Sequence, residues 1–328
     1  MLLPNDTTSW PPAAFTLPKP ILHNGATSIP APSHASFAAA FGHAFPTPYY
    51  LTSSIGNTAV YDLPAPSTET RRVLMVHGLN TPALGMLSLA KQLQTLQPGT
   101  HIVLYDLWGH GLTSTPLQTH SAHLFHSQIL QVLSYMAWST AHLIGFSFGG
   151  STAVSFALHH PWAVQSTVLL APAGLIQMEA LDVRTRELLR DDRGREEEAR
   201  EAVLDMLEGG KLKVPEEWRE RSQKGEVVVE ALRQWELSEH RGYRWSVFSM
   251  FRDGGAMGCE EEFGRFGKEK GKKLVVLGEK DDLCTREELV EMGFEKEGVT
   301  VVVGAGHALG RTHTEEVAEL IGEFWKRL

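Results

Sequence analysis

Residues 142–150 read His-Leu-Ile-Gly-Phe-Ser-Phe-Gly-Gly, an apolar strand running into a serine flanked by glycines. A sharp strand-to-helix turn forces its apex residue into a strained backbone conformation. Small residues two before and two after that apex, here Gly145 and Gly149, relieve the crowding. The Ser147 hydroxyl would then stand clear at the end of the strand, over the first turn of the next helix. There the backbone N–H of Phe148 faces a developing oxyanion, aided by the helix dipole. Gly149, Gly150, Ser151 and Ala153 make that helix small enough to pack tightly. The plain alternative is a structural serine in a glycine-rich turn. What separates the two is a base, because serine is a poor nucleophile at neutral pH.

Working outward, short apolar runs alternate with helical patterns, the sign of a mostly parallel sheet with crossover helices. Strands are expected at 55–61, 73–76, 101–105, 142–145, 166–170, 274–277 and 299–303, the last almost pure valine. Helices are expected near 84–96, 121–137 and 148–159. The chain should end in a helix with Val317, Leu320, Ile321 and Phe324 on one stripe, opened by a capping box of Thr312 and Glu315.

The last strand leads into Gly304-Ala-Gly-His-Ala-Leu309, where a loop of small residues can hold the His307 imidazole over the sheet edge. The strand before it leads into Gly278-Glu-Lys-Asp-Asp-Leu-Cys284. Asp281 there can accept a hydrogen bond from the imidazole, fix its tautomer and stabilise the imidazolium. Asp282 is the adjacent rival, and Glu279 a weaker one. Along the chain the three candidates come in the order Ser147, Asp281, His307. Earlier, Val73-Leu-Met-Val-His-Gly-Leu79 ends a strand in a His-Gly turn that can aim the N–H of Leu79 at the same centre. Leu79 and Phe148 would supply two oxyanion donors, and His77 is read as a brace for the loop.

Together these pieces resemble the α/β-hydrolase superfamily, from about residue 49 to the C-terminus. The matching motifs are His77-Gly78, Asp106-Leu-Trp-Gly-His-Gly-Leu-Thr-Ser114, Gly145-Phe-Ser-Phe-Gly149, Gly278-Glu-Lys-Asp281 and Gly306-His307. The resemblance implies the α/β-hydrolase fold, with a mostly parallel central sheet flanked by helices and a helical cap insertion. It also implies that Asp106 and His110 are structural. Leu169-Leu-Ala-Pro-Ala-Gly-Leu175 looks like the cap-bearing branch with esterases, monoacylglycerol lipases and carbon–carbon bond hydrolases. One departure is Thr285, where that branch commonly has proline after the acid loop.

Four segments follow: an N-terminal arm (1–48), a first core part (49–173), a helical cap insertion (174–271) and a second core part (272–328). The Pro-, Ala- and Ser-rich arm has Phe37 to Phe45 apolar enough to dock. Residues 182–200, crowded with both charge signs, read as a solvated amphipathic helix. Tyr243, Trp245, Phe248 and Phe251 crowd together in the cap and are expected either to pack it on the core or to line the substrate pocket. His120, His123 and His126 recur every three residues. Zinc ligation would want a fourth partner, so they read as a polar helix face. Cys284 reads as a small buried filler.

The 328 residues carry a net charge of −9 and no basic stripe, which argues against a nucleic-acid partner. No apolar run is long enough for a transmembrane helix. Two cysteines fit a reducing, cytoplasmic setting, and the start lacks the form of a secretory signal. The expected activity is hydrolysis of an ester or lactone of a partly apolar small molecule, with no metal or organic cofactor implied. Carbon–carbon bond hydrolase, aminopeptidase and slow-turnover ligand receptor are the rival readings.

Overall fold

The computed structural model describes residues 25–209 and 211–328. β1 (Ser28–Ile29) and α1 (His34–Phe41) precede β2 (Tyr49–Ser53), β3 (Gly56–Leu63) and β4 (Arg71–Val76). A short 3-10 turn then leads into α2 (Leu87–Leu96), β5 (Thr100–Tyr105), β6 (Thr115–Pro116) and α3 (Ala122–Tyr135). β7 (Ala141–Phe146), α4 (Phe148–His159) and β8 (Val164–Leu170) follow. Helices α5 (Val183–Arg190), α6 (Glu196–Glu208), α7 (Trp218–Gln223), α8 (Val229–Glu239), α9 (Tyr243–Asp253) and α10 (Glu260–Lys268) come next. The chain closes with β9 (Lys273–Gly278), α11 (Arg286–Glu291), β10 (Val299–Val302), α12 (Leu309–Thr312) and α13 (Thr314–Lys326).

Eight strands form one sheet in the order β10-β9-β8-β7-β4-β5-β3-β2. β4, β5 and β7 to β10 are mutually parallel, and β3 and β2 add an antiparallel edge. Period-2 alternation sends Leu74 and Val76 to one face with α3 and α4. It sends Val73 and Met75 to the other, with α2 and α13. After β5 the chain returns to the far side of β4 and lays down β7 there. The strand order therefore reverses at β4, which opens a crevice beyond the carboxyl ends of β4 and β7. Ser147 and the His77-Gly78-Leu79 turn both lie at that crevice.

This is the α/β-hydrolase fold, and the expected strands and core helices are present with ends moved by up to three residues, the most at the start of α2. β2 lay outside the sequence reading, because its sequence Tyr-Tyr-Leu-Thr-Ser faces largely outward at the sheet edge and has no clear apolar period. Residues 1–24 of the expected arm lie outside the described residues. The remainder docks: Phe37, Phe41 and Phe45 are buried, and Phe37 and Phe41 meet Trp235 edge-on while Phe41 also meets Trp218.

Three expectations need correction. The solvated helix over 182–200 is two helices. Asp182 caps α5 by accepting the Thr185 N–H at 3.0 Å, the chain breaks around Asp191–Gly194, and α6 continues to Glu208. Both bury a stripe, Leu188 and Leu189 on α5 and Ala199, Val203 and Leu204 on α6. The capping box at Thr312 and Glu315 does not form. Thr312 ends α12, so its hydroxyl meets the Ala308 carbonyl and the His313 ring instead. A capping box does form at Thr285 and Glu288, which gives the departing threonine the task of opening α11. His120, His123 and His126 do not share a polar face: His120 precedes α3 and is buried against Trp245, His126 is buried against Phe156, and only His123 is exposed.

Within residues 174–271, α6 packs against α9, and α10 packs against α4, with Phe263 and Phe266 as its buried stripe.

Candidate active site

Ser147 sits between β7 and α4 with φ 53° and ψ −120°, a conformation that costs a non-glycine residue of order 1–3 kcal/mol. The turn tolerates it because the residues two before and two after it, Gly145 and Gly149, lack side chains. A Cβ on Gly145 would lie 2.2 Å from the Gly149 carbonyl oxygen, and one on Gly149 would lie 2.0 Å from the Val76 oxygen. Phe148 fixes the helix start. Its ring is fully buried and meets Phe125 edge-on at 5.2 Å, and its N–H is one of the helix-start donors that have no partner within the helix.

The base and the acid arrive on two loops that are stitched together. The Glu279 N–H donates to Val302 O at 3.0 Å and the Lys280 N–H to Ala305 O at 2.8 Å. The Gly304 N–H donates to Glu279 Oε2 at 2.8 Å, so the rival acid Glu279 is a staple between loops. Asp281 follows a turn closed by its own N–H on Gly278 O at 3.1 Å. Its carboxylate is almost fully buried; Oδ1 accepts the Leu283 N–H at 3.3 Å and Oδ2 accepts His307 Nδ1–H at 2.9 Å. His307 Nε2 in turn lies 3.0 Å from Ser147 Oγ, which donates to it. Asp282 is exposed, at the rim of the cavity. Three side chains from distant parts of the chain thus meet in one line of hydrogen bonds, where an imidazole can take a hydroxyl proton and a carboxylate can hold the resulting charge.

The opposite wall is the turn after β4. His77 braces it as expected, its Nδ1–H donating to Gly78 O at 2.7 Å and its Nε2 accepting the Leu107 N–H at 2.8 Å. Burial pushes its pKa well below the usual histidine value, so the ring stays neutral and can play both parts. Asp106 accepts from the Ala83 N–H, the Leu112 N–H and the Tyr61 hydroxyl at 2.8–3.0 Å, a structural hub that burial raises to about 6. His110 Nε2 meets Leu79 O at 2.6 Å, holding the loop from the carbonyl side of the candidate oxyanion donor. Leu79 and Phe148 both border the cavity beside Ser147.

That cavity is about 630 Å³, and its wall joins Leu79, Phe148 and Phe146 of the core to Met206, Leu207 and Phe251 of the inserted helices. Of the four aromatic candidates only Phe251 reaches it. Tyr243, Trp245 and Phe248 are turned the other way, because α9 is seated on the turn after β5 and on α6. Tyr243 meets His110 at 5.2 Å, Trp245 meets His120 at 4.6 Å, and Ser246 Oγ donates to Trp108 O at 2.7 Å between them. Sequence reading missed Asn80, Met206, Leu207, Arg233 and Arg311 on the cavity wall. Ala199, Val203, Met206 and Leu207 have helical spacing that extends past the charged run and was readable; the two arginines gave no such signal. Cys284 is a buried filler, its thiol pushed up to about 12 by burial.

A model of the alpha/beta hydrolase family matches residues 73–320. The chain belongs to that family. Among curated relatives, this α/β hydrolase is 35% identical over 107 residues to "Monoacylglycerol lipase abhd6-A" of Xenopus laevis, covering 32% of this chain and 31% of that protein. It is 26% identical over 132 residues to a "2-hydroxy-6-oxononadienedioate/2-hydroxy-6-oxononatrienedioate hydrolase" of Burkholderia vietnamiensis, covering 38% of this chain and 46% of the relative. The chain therefore matches less than half the length of either. Two solved structures share the fold: the enol-lactonase of Burkholderia xenovorans LB400 (TM-score 0.61, 17% identity, 85% of this chain and 100% of that one), and a thermophilic esterase from Thermogutta terrifontis (TM-score 0.63, 17% identity, 86% and 98%). Among the described residues no helix is long and apolar enough to cross a membrane.

Proposed function

We propose that this α/β hydrolase is a serine hydrolase that cleaves an ester or lactone of a partly apolar small molecule. Ser147 attacks the carbonyl and His307 takes its proton. Asp281 holds the imidazole, and Leu79 and Phe148 N–H groups receive the oxyanion. The carbonyl–alkoxy bond then breaks, His307 returns the proton to the leaving oxygen, and water releases the acyl group from Ser147. The observation that carries this reading is the pair of contacts at His307, 2.9 Å to Asp281 Oδ2 and 3.0 Å to Ser147 Oγ. Residues 49–173 and 272–328 would form the core and the intervening segment the cap, with 1–48 as an arm. Two free thiols, Cys259 and Cys284, support a cytoplasmic setting.

Stopped-flow mixing with p-nitrophenyl butyrate tests the proposal. The expected trace is a burst of about one p-nitrophenol per protein followed by sustained turnover. A burst with no further turnover supports a slow-turnover receptor. No burst and no turnover, with cleavage of a vinylogous diketone instead, supports a carbon–carbon bond hydrolase.

A further inference from the structure

The charged groups on the cavity wall each have a protein partner or lie exposed, with one exception. Asp281 is bonded to His307, Arg233 pairs with Glu208, Glu288 caps α11, and Asp282 is exposed at the rim. Arg311 is the exception. It stands four residues after His307 on α12, and its guanidinium carbon lies 5.9 Å from the centre of the Phe146 ring. That ring in turn lies 5.2 Å from the His307 imidazole. Among the described residues the Arg311 side chain forms no hydrogen bond and no ion pair. Glu230 acts on it only across a distance, and Arg233 repels it. Partial burial pulls its pKa below the usual arginine value.

A guanidinium cannot shed its proton in this range, so its lost hydration is recovered only by an anion or by hydrogen bonds. Its planar fork matches a carboxylate with two parallel N–H···O contacts. Phe146, the cavity-wall ring over which it lies, offers no such acceptor group. We propose that Arg311 anchors a carboxylate on the substrate, so that the preferred substrate is an ester bearing an acid group and not a fully neutral one. This rests on the ester-hydrolase reading and deepens it.

The test uses the full chain and two pairs of esters, since the acid could sit on either side of the scissile bond. The acyl-side pair is p-nitrophenyl hydrogen glutarate against p-nitrophenyl pentanoate. The alcohol-side pair is 4-carboxyphenyl butyrate against 4-carbamoylphenyl butyrate. In one pair the acid ester should lead in kcat/KM by about 10- to 100-fold, mostly through KM. Arg311→Gln should bring that ratio close to one, and Arg311→Lys should keep part of it. Ratios near or below one in both pairs for the wild type, or a ratio that survives Arg311→Gln, overturn the proposal. Calorimetry with glutarate on Ser147→Ala gives a readout free of turnover: binding that vanishes when Arg311→Gln is added supports the anchor, and absent or undiminished binding overturns it. If no ester is turned over at all, the hydrolase reading falls while the calorimetry still decides Arg311.

Discussion

Ser147→Ala is expected to lower kcat on p-nitrophenyl butyrate by about five to six orders of magnitude, leaving the folded structure in place. The hydroxyl is the only group the change removes from the line Ser147–His307–Asp281, and alanine fits the same strained turn. Its φ of 53° is no harder for alanine than for serine. Steady-state rates together with far-ultraviolet circular dichroism check both halves of the expectation. Turnover within tenfold of the wild type would mean that another group performs the attack. A collapse of the dichroism signal would mean that the loss of activity says nothing about chemistry.

Asp281→Asn is expected to cost about four orders of magnitude in kcat, with KM moving little. The buried oxygen that accepts His307 Nδ1–H becomes an amide that can turn its N–H₂ to the ring, which selects the wrong tautomer and leaves Nε2 carrying the proton. The base then cannot accept from Ser147. Asp282→Asn is expected to cost less than tenfold, because that carboxylate faces solvent. Parallel kinetics on the two variants read the contrast. Equal losses, or a larger one at Asp282, would assign the acid to the wrong neighbour.

The sequence was most legible where backbone geometry restricts residue choice. Gly145 and Gly149 flag the turn because a Cβ at either site would collide with backbone oxygen, and the valine run before His307 has room only in a sheet. Asp281 was preferred to Asp282 from motif position; what separates them physically is burial, which no local pattern carries. The cavity wall was least legible. α9 has aromatic residues on several sides, and which of them meets the cavity depends on how the helix is seated on the Trp108 turn and on α6. That contact is tertiary, so Tyr243, Trp245 and Phe248 were as plausible as Phe251 before the fold was known. Arg233 and Arg311 escaped notice for a similar reason: an arginine on a helix is ordinarily solvated, and only the fold draws these two inward. The capping box shows the same limit at short range. Thr312-x-x-Glu315 and Thr285-x-x-Glu288 are equally good patterns, and the short helix α12 takes Thr312 away from one of them.

Reaction of the protein with a fluorophosphonate, followed by peptide mass spectrometry, addresses the nucleophile without any choice of substrate. Attack by an activated serine displaces fluoride and leaves a phosphonyl group on its oxygen. The account predicts one adduct per chain, on Ser147, and none after His307→Ala. Labelling elsewhere, or labelling of Ser147 that persists without His307, would contradict it.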